Sequence, residues 1–188
     1  MELLVAVTLF TVSLTMLTDI FLLATRAQRK AFSGSKVISD SRLILGTVSD
    51  TMRSAGIDYT YPGYAAGVPV PTEELVLRDN FGKQITFRKS SDVFVCPSPE
   101  SVPCVEMVVD DGETVASASI SSKDVKVIGL DFYVSPTKNP FQLLGESYEA
   151  NQQPLVTVNL ALQSTSLNAI EASPLYAQTS ISSRNYER

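Results

Sequence analysis

The chain has 188 residues, a net charge of −5 and a sequence pI near 4.8, with no histidine and no tryptophan. That size suits one anchored domain, and the acidic balance argues against nucleic acid as a main partner, because phosphate binding needs clustered Lys and Arg. Without histidine, Ser-His-Asp and Cys-His nucleophiles are excluded, although Ser-Lys variants are not.

Residues 1–25, MELLVAVTLFTVSLTMLTDIFLLAT, form an apolar run in which only Glu2 and Asp19 are charged. A hydrocarbon core about 30 Å thick needs roughly 20 apolar residues in a helix, so the run is long enough to span a bilayer. A carboxylate at the head of such a helix is costly in lipid and calls for a partner. A cleaved secretory signal needs a basic n-region and a small-residue cleavage site, and neither is clear in this run. As an ordinary anchor its orientation is awkward. Arg26, Arg29 and Lys30 follow the span, and the positive-inside rule by itself would leave the C-terminal domain in the cytoplasm.

Past the span, residues 26–56 keep a helical pattern, with Phe32, Leu43, Ile44, Val48, Met52 and Ala55 recurring at three- and four-residue steps. Gly56 is placed as a C-terminal stop. The expectation is one helix of about 55 residues, near 80 Å long, whose first half suits lipid or a helical bundle and whose amphipathic second half suits packing beneath a sheet. Asp19 sits deep in the apolar run, two turns before Arg26 on the same face, and receives no specific role.

Residues 57–74 read as a linker rich in Pro, Gly and Tyr, in which Tyr59, Tyr61 and Tyr64 could form a binding patch, although such tyrosines more often pack the loop onto the domain. Residues 75–188 read as a β-rich globular head. LVLRD and KQITFRK make a hairpin about Asn80–Gly82, VFVC and VEMVVDD bracket a proline-rich loop, and ETVASASI, DVKVIGLDFYVSP and PLVTVNLALQS follow as strands. The fold class expected is α+β: a long N-terminal helix packed on a mostly antiparallel sheet.

Cys96 and Cys104 flank the proline-rich loop. They suit a short disulfide, as expected outside the cytoplasm, the alternative being two free thiols in a reducing compartment. Two cysteines without histidine do not complete a tetrahedral zinc shell unless carboxylates join. The acidic groups Asp110, Asp111 and Glu113, and Glu146 and Glu149, are of the ligand type that calcium takes. DDGE at a hairpin reads better as a turn with solvated charges. No residue is assigned as catalytic, cofactor-binding or metal-binding, and the chain is expected not to be an enzyme.

The stretch MELLVAVTLF resembles the mature N-terminus of the type IV pilin superfamily, which includes the minor pilins and the pseudopilins of type II secretion systems. The core Met-Glu-Leu-Leu-Val carries the likeness, and DVKVIGLDFYV, PLVTVNLALQ and QTSISSRNYER extend it more loosely into the head. The family's basic leader, its glycine and the first three mature residues are expected upstream of Met1, so peptidase processing and N-methylation are assigned to no residue here. The resemblance implies that the leader's charges set the orientation, which removes the conflict with Arg26, Arg29 and Lys30. It also implies that Glu2 pairs with the terminal amine of a neighbouring subunit, in keeping with the rule that a buried charge persists only when matched. A helix-start carboxylate at the membrane interface is the plainer alternative for Glu2.

The function so implied is a structural subunit held in the cytoplasmic membrane with an extracytoplasmic head. It then joins other pilin-like subunits through an assembly platform into a cell-surface filament. The alternative is a single-pass anchored β-domain that binds a ligand or partner without forming filaments.

Overall fold

In the computed structural model, residues 2–97, 102–144, 147–148, 152–165 and 172–183 are described. One helix, α1 (Glu2–Ser54), opens the chain and at about 1.5 Å per residue extends near 80 Å. It passes through Gly34 and Gly46, each about 1 kcal/mol less favourable than alanine in a helix interior. Its second half gains what they lose by packing on a sheet. The buried positions are Val37, Ser41, Ile44, Val48 and Met52, a stripe one residue wide at steps of three and four. Phe32 and Leu43, expected in that stripe, are 71% and 55% exposed. Leu43 lies about 100° round from Ile44, and Phe32 lies more than a turn before the first buried residue.

The helix ends earlier than Gly56. Ala55–Ile57 peel away as β1, and Gly56 pairs with Arg78 rather than capping the helix. Hydrogen bonds to a neighbouring strand here replace the next helical turn. From β1 an antiparallel sheet follows in sequence order: β2 (Glu74–Asp79), β3 (Gln84–Ser90), β4 (Cys104–Asp110) and β5 (Val115–Ser119). The β2–β3 turn is built by Asp79, whose Oδ1 accepts the N–H groups of Phe81 and Lys83 at 2.8 and 2.9 Å. Gly82 supplies the positive φ of 83° that the turn needs.

Residues 93–96, expected as a strand, are instead a turn. Asp92 captures the backbone there: its carbonyl accepts from Val95 and Cys96, and its carboxylate from Phe94. Those N–H groups are then lost to any ladder. The turn leads into the Cys96–Cys104 disulfide, with Cα atoms 5.6 Å apart.

A second antiparallel sheet has the order β10–β9–β6, from β6 (Val125–Ser135), β9 (Leu155–Ser164) and β10 (Pro174–Ser182). Between these come two short paired segments, β7 (Leu143–Leu144) and β8 (Ser147–Tyr148). In β6 the apolar alternation runs Val125, Val127, then Leu130, Phe132, Val134, and the skipped step is a bulge between Val127 and Gly129. The extra residue returns the later side chains to the core face. Val156, Val158, Leu160 and Leu162 of β9 are all buried on one face.

The second half of α1 lies over this three-stranded sheet, against β10, β9 and β6. Gly34 faces Ser173 just before β10, and the Ala55 carbonyl accepts from Ser183 Oγ just after it. The intervening helix and strand have matched lengths, about 32 and about 33 Å. Lys36 pairs with Asp124 at 2.7 Å, and Asp40 accepts the Ser122 N–H at 2.8 Å, fixing the lower end of the docking.

Residues 57–74 stitch the two sheets together. Thr72 exchanges backbone hydrogen bonds with Phe132, both 2.9 Å, and Val68 donates to the Thr137 carbonyl. The tyrosines pack as expected: Tyr59 Oη donates to the Pro136 carbonyl at 3.0 Å, and Tyr64 Oη bridges the Glu74 carbonyl and the Val76 N–H. Tyr61 and Tyr64 meet edge to face with centroids 5.3 Å apart.

Candidate assembly helix

Among the described residues, the first half of α1 has no buried position. No described residue before Val37 is buried, and Leu3, Phe10 and Leu23 are 80%, 69% and 72% exposed. An 18-residue window of this helix has a mean hydropathy of 2.0, so it is long and apolar enough to cross a membrane. A contiguous apolar surface of this size is a site for lipid or for other protein.

The side chains within it hide their polarity. The hydroxyls of Thr8, Ser13, Thr15, Thr18 and Thr25 donate to carbonyls three or four residues back at 2.8–2.9 Å, and Thr11 donates likewise to Val7. Every such hydroxyl is satisfied inside the helix, as hydrocarbon requires. Two groups escape this rule, the carboxylates of Glu2 and Asp19. Both are exposed, and neither forms an ion pair among the described residues. Glu2 sits in the first helical turn, where the helix dipole favours a negative charge. Asp19 lies about 25 Å along the axis from Glu2, and Arg26 about 36 Å from it. A partner for either carboxylate has to come from outside this chain's described residues.

In the head, the acidic turn is a turn. Asp111 Oδ1 accepts the Glu113 and Thr114 N–H groups at 3.1 and 2.7 Å, Asp110 Oδ1 accepts from Gly112, and Gly112 adopts a φ of 85°. The bonds from Thr114 and Glu113 hold the Asp111 carboxyl below its usual range. Glu146 and Glu149 lie outside the described residues. Among the described residues no three His, Cys, Asp or Glu side chains gather as a metal site.

Two buried acids were not singled out from the sequence. Glu106 of β4 is 3% exposed and accepts from Arg88 Nε at 2.9 Å, while Glu74 lies 3.7 Å from Arg88 on its other side. The strand register puts all three in one cross-strand row, so only the pairing of strands could reveal them. Asp58, just past β1, is 4% exposed. Its Oδ2 takes Arg78 Nε and Nη2 at 3.0 and 2.7 Å, and its Oδ1 takes the N–H and hydroxyl of Thr60 at 3.0 and 2.5 Å. These groups line a cavity of about 230 Å³ together with Tyr59, Asn139, Phe141 and Pro154. With both oxygens engaged, Asp58 holds the loop in place and has no oxygen left without a donor to serve as a base.

Burial acts to raise the Asp58 pKa, but the hydrogen bonds from Thr60 and Arg78 outweigh it and hold the carboxyl below the usual range. The resulting stability is complete above the unfolded value of 3.8 and is lost as pH falls through the lower folded value. Asp58→Asn is therefore expected to melt below the wild type at pH 7, with the gap narrowing as pH drops under about 3.8. Thermal melts from pH 7 to pH 2 check this. A gap that stays constant across the series would show that Asp58 titrates alike in both states.

Comparison of the chain with family models, with curated proteins and with solved structures returns no match in any of the three.

Proposed function

We propose that this chain is a structural subunit of a filament of the type IV pilus or type II secretion kind, a minor pilin or pseudopilin, and not an enzyme. In this reading α1 waits in the cytoplasmic membrane with the head outside. It then leaves the bilayer to pack with the helices of other pilin-like subunits at an assembly platform. The observation that carries the proposal is the form of α1. One unbroken helix is apolar and has no buried position among the described residues in its first half, with Glu2 at its head, and is docked on its own sheet in its second half. A plain anchor needs no rigid continuation into the domain, whereas a subunit that transmits packing from a helical core to an outer head does. The Cys96–Cys104 disulfide supports an oxidising location for the head.

Glu2 is then the group whose charge is matched across subunits, with the amine of a neighbour as its partner. Within a water-poor helical core, truncating one member of such a pair leaves the other unmatched at a cost of several kcal/mol. Glu2→Ala is expected to reduce incorporation into sheared surface filaments by more than about tenfold. Its recovery in the membrane fraction and its disulfide remain as in the wild type. Incorporation at the wild-type level would overturn the role given to Glu2.

The competing reading, an anchored head that binds a ligand or partner without filaments, has the cavity beside Asp58 in its favour. It makes no use of Glu2. Absence of any filament containing the wild-type chain, in cells that carry the assembly machinery, would favour it.

A further inference from the structure

Asp19 is the second charge in the apolar half of α1, and no described residue of its own head pairs with it. It is exposed, and among the described residues it pairs with no cation. Side chains along one helix pair across three or four residues. The nearest cation that follows, Arg26, is seven residues on and two turns away. Counted at about 100° per residue, Arg26 lies within about 20° of the Asp19 face, as does Lys30, whereas Arg29 is turned about 80° away. An acid in an apolar helix and a cation on the same face two turns later are complementary to a second copy, not to each other.

We infer that Asp19 of one copy pairs with Arg26 of the next, the two α1 helices lying parallel and staggered by two turns, about 10.5 Å along the axis. This rests on the filament reading above and adds to it a register.

The charges select that register over the other one available. A stagger of eleven residues, about 16.5 Å, would set Lys30 beside Asp19. It would also draw Arg26 level with Thr15, four residues deeper in the neighbour's apolar stretch than Asp19. The seven-residue stagger leaves Arg29 and Lys30 nearer the polar end and gives Asp19 the planar guanidinium, which matches a carboxylate bidentately. A staggered contact is also heterologous: each copy offers Asp19 to one neighbour and Arg26 to the other, so the chain of contacts stays open and propagates. Because both residues share one face, that face turns inward toward a common axis. Glu2 lies about 100° from it and is left for a separate contact.

The test uses the full chain in cells that assemble filaments. Asp19→Arg and Arg26→Asp are each expected to reduce filament incorporation about tenfold or more, and the two together in one chain to restore it to within about threefold. Asp19→Asn serves as a milder variant that inserts into the membrane as the wild type does.

Independently, with the native charges kept, Thr15→Cys and Leu22→Cys in one chain should give a ladder of cross-linked multimers on oxidation. Val12→Cys with Leu23→Cys, eleven residues apart, should not. The native cysteines are already joined and do not compete. Failure of the charge exchange to rescue, or a ladder from the eleven-residue pair alone, would overturn the register while leaving the filament reading in place. Wild-type chains that enter no filament, together with no ladder from either double-cysteine variant, would overturn both.

Discussion

Phe132→Ala is expected to destabilise the head by about 3–5 kcal/mol, the range for removing a fully buried aromatic side chain. Phe132 has no solvent exposure and lies on the core face of β6, opposite Val158 of β9. Its backbone also exchanges two hydrogen bonds with Thr72, the point where residues 57–74 tie the two sheets together. A cavity at this position thus loosens both the apolar face beneath α1 and the seam between the sheets. In urea, with a slope of about 2 kcal/mol per molar, the midpoint should fall by about 2 M. Phe94 is a control of the same chemistry: it is 95% exposed, and Phe94→Ala should stay within about 0.5 kcal/mol of the wild type. A loss below about 1 kcal/mol for Phe132→Ala would show that the core collapses around the missing ring.

The next largest effect is expected from the disulfide. Cys96 and Cys104 are eight residues apart in sequence, and closing so short a loop removes entropy from the unfolded chain worth about 2.6 kcal/mol in the loop-closure account. The bond also ties the turn after β3 to the start of β4, since residues 93–96 are held by Asp92 in a turn and add no strand there. Cys96→Ser with Cys104→Ser should therefore shift the urea midpoint by about 1 M, and adding reductant to the wild type should shift it equally. The strand register of β3 on β4 should survive, because Ser90 pairs with Cys104 through the backbone. An unchanged midpoint under reductant would show that the bond constrains nothing the unfolded chain does not already lack.

Much of this architecture is legible in the residue order. The span, the amphipathic continuation, the two cysteines and the alternation in β6 and β9 are local patterns, and period and composition are enough to read them. Even the bulge in β6 is visible as the skipped step between Val127 and Leu130, although only the pairing with β9 identifies it as such. The misreadings share one cause. Leu43, Phe32, Gly56 and residues 93–96 each carry the local signature expected of them, but local signature does not say where a neighbour lies. The sheet beneath α1 accepts the stripe through Ile44 and Val48, β2 draws Gly56 out of the helix, and Asp92 takes the N–H groups that a strand at 93–96 would have used. The buried acids carry no local signature at all. Asp58 meets Arg78, and Glu106 meets Arg88, only across strands whose register no single segment contains.

By itself the sequence determined that the chain opens with an apolar helix holding two carboxylates, that this helix continues beyond the span, and that a β-rich head follows. These depend on hydropathy and periodicity, which act over a few neighbouring residues. Only the tertiary structure decided that the described strands of the head form two larger sheets and the short β7–β8 pair rather than one sheet, that α1 lies along β10, and that nothing in the head covers Glu2 or Asp19 among the described residues. Those outcomes turn on contacts between residues far apart in the chain. Whether a charge is matched is set by what stands beside it in space, and no described residue of the head stands beside these two carboxylates.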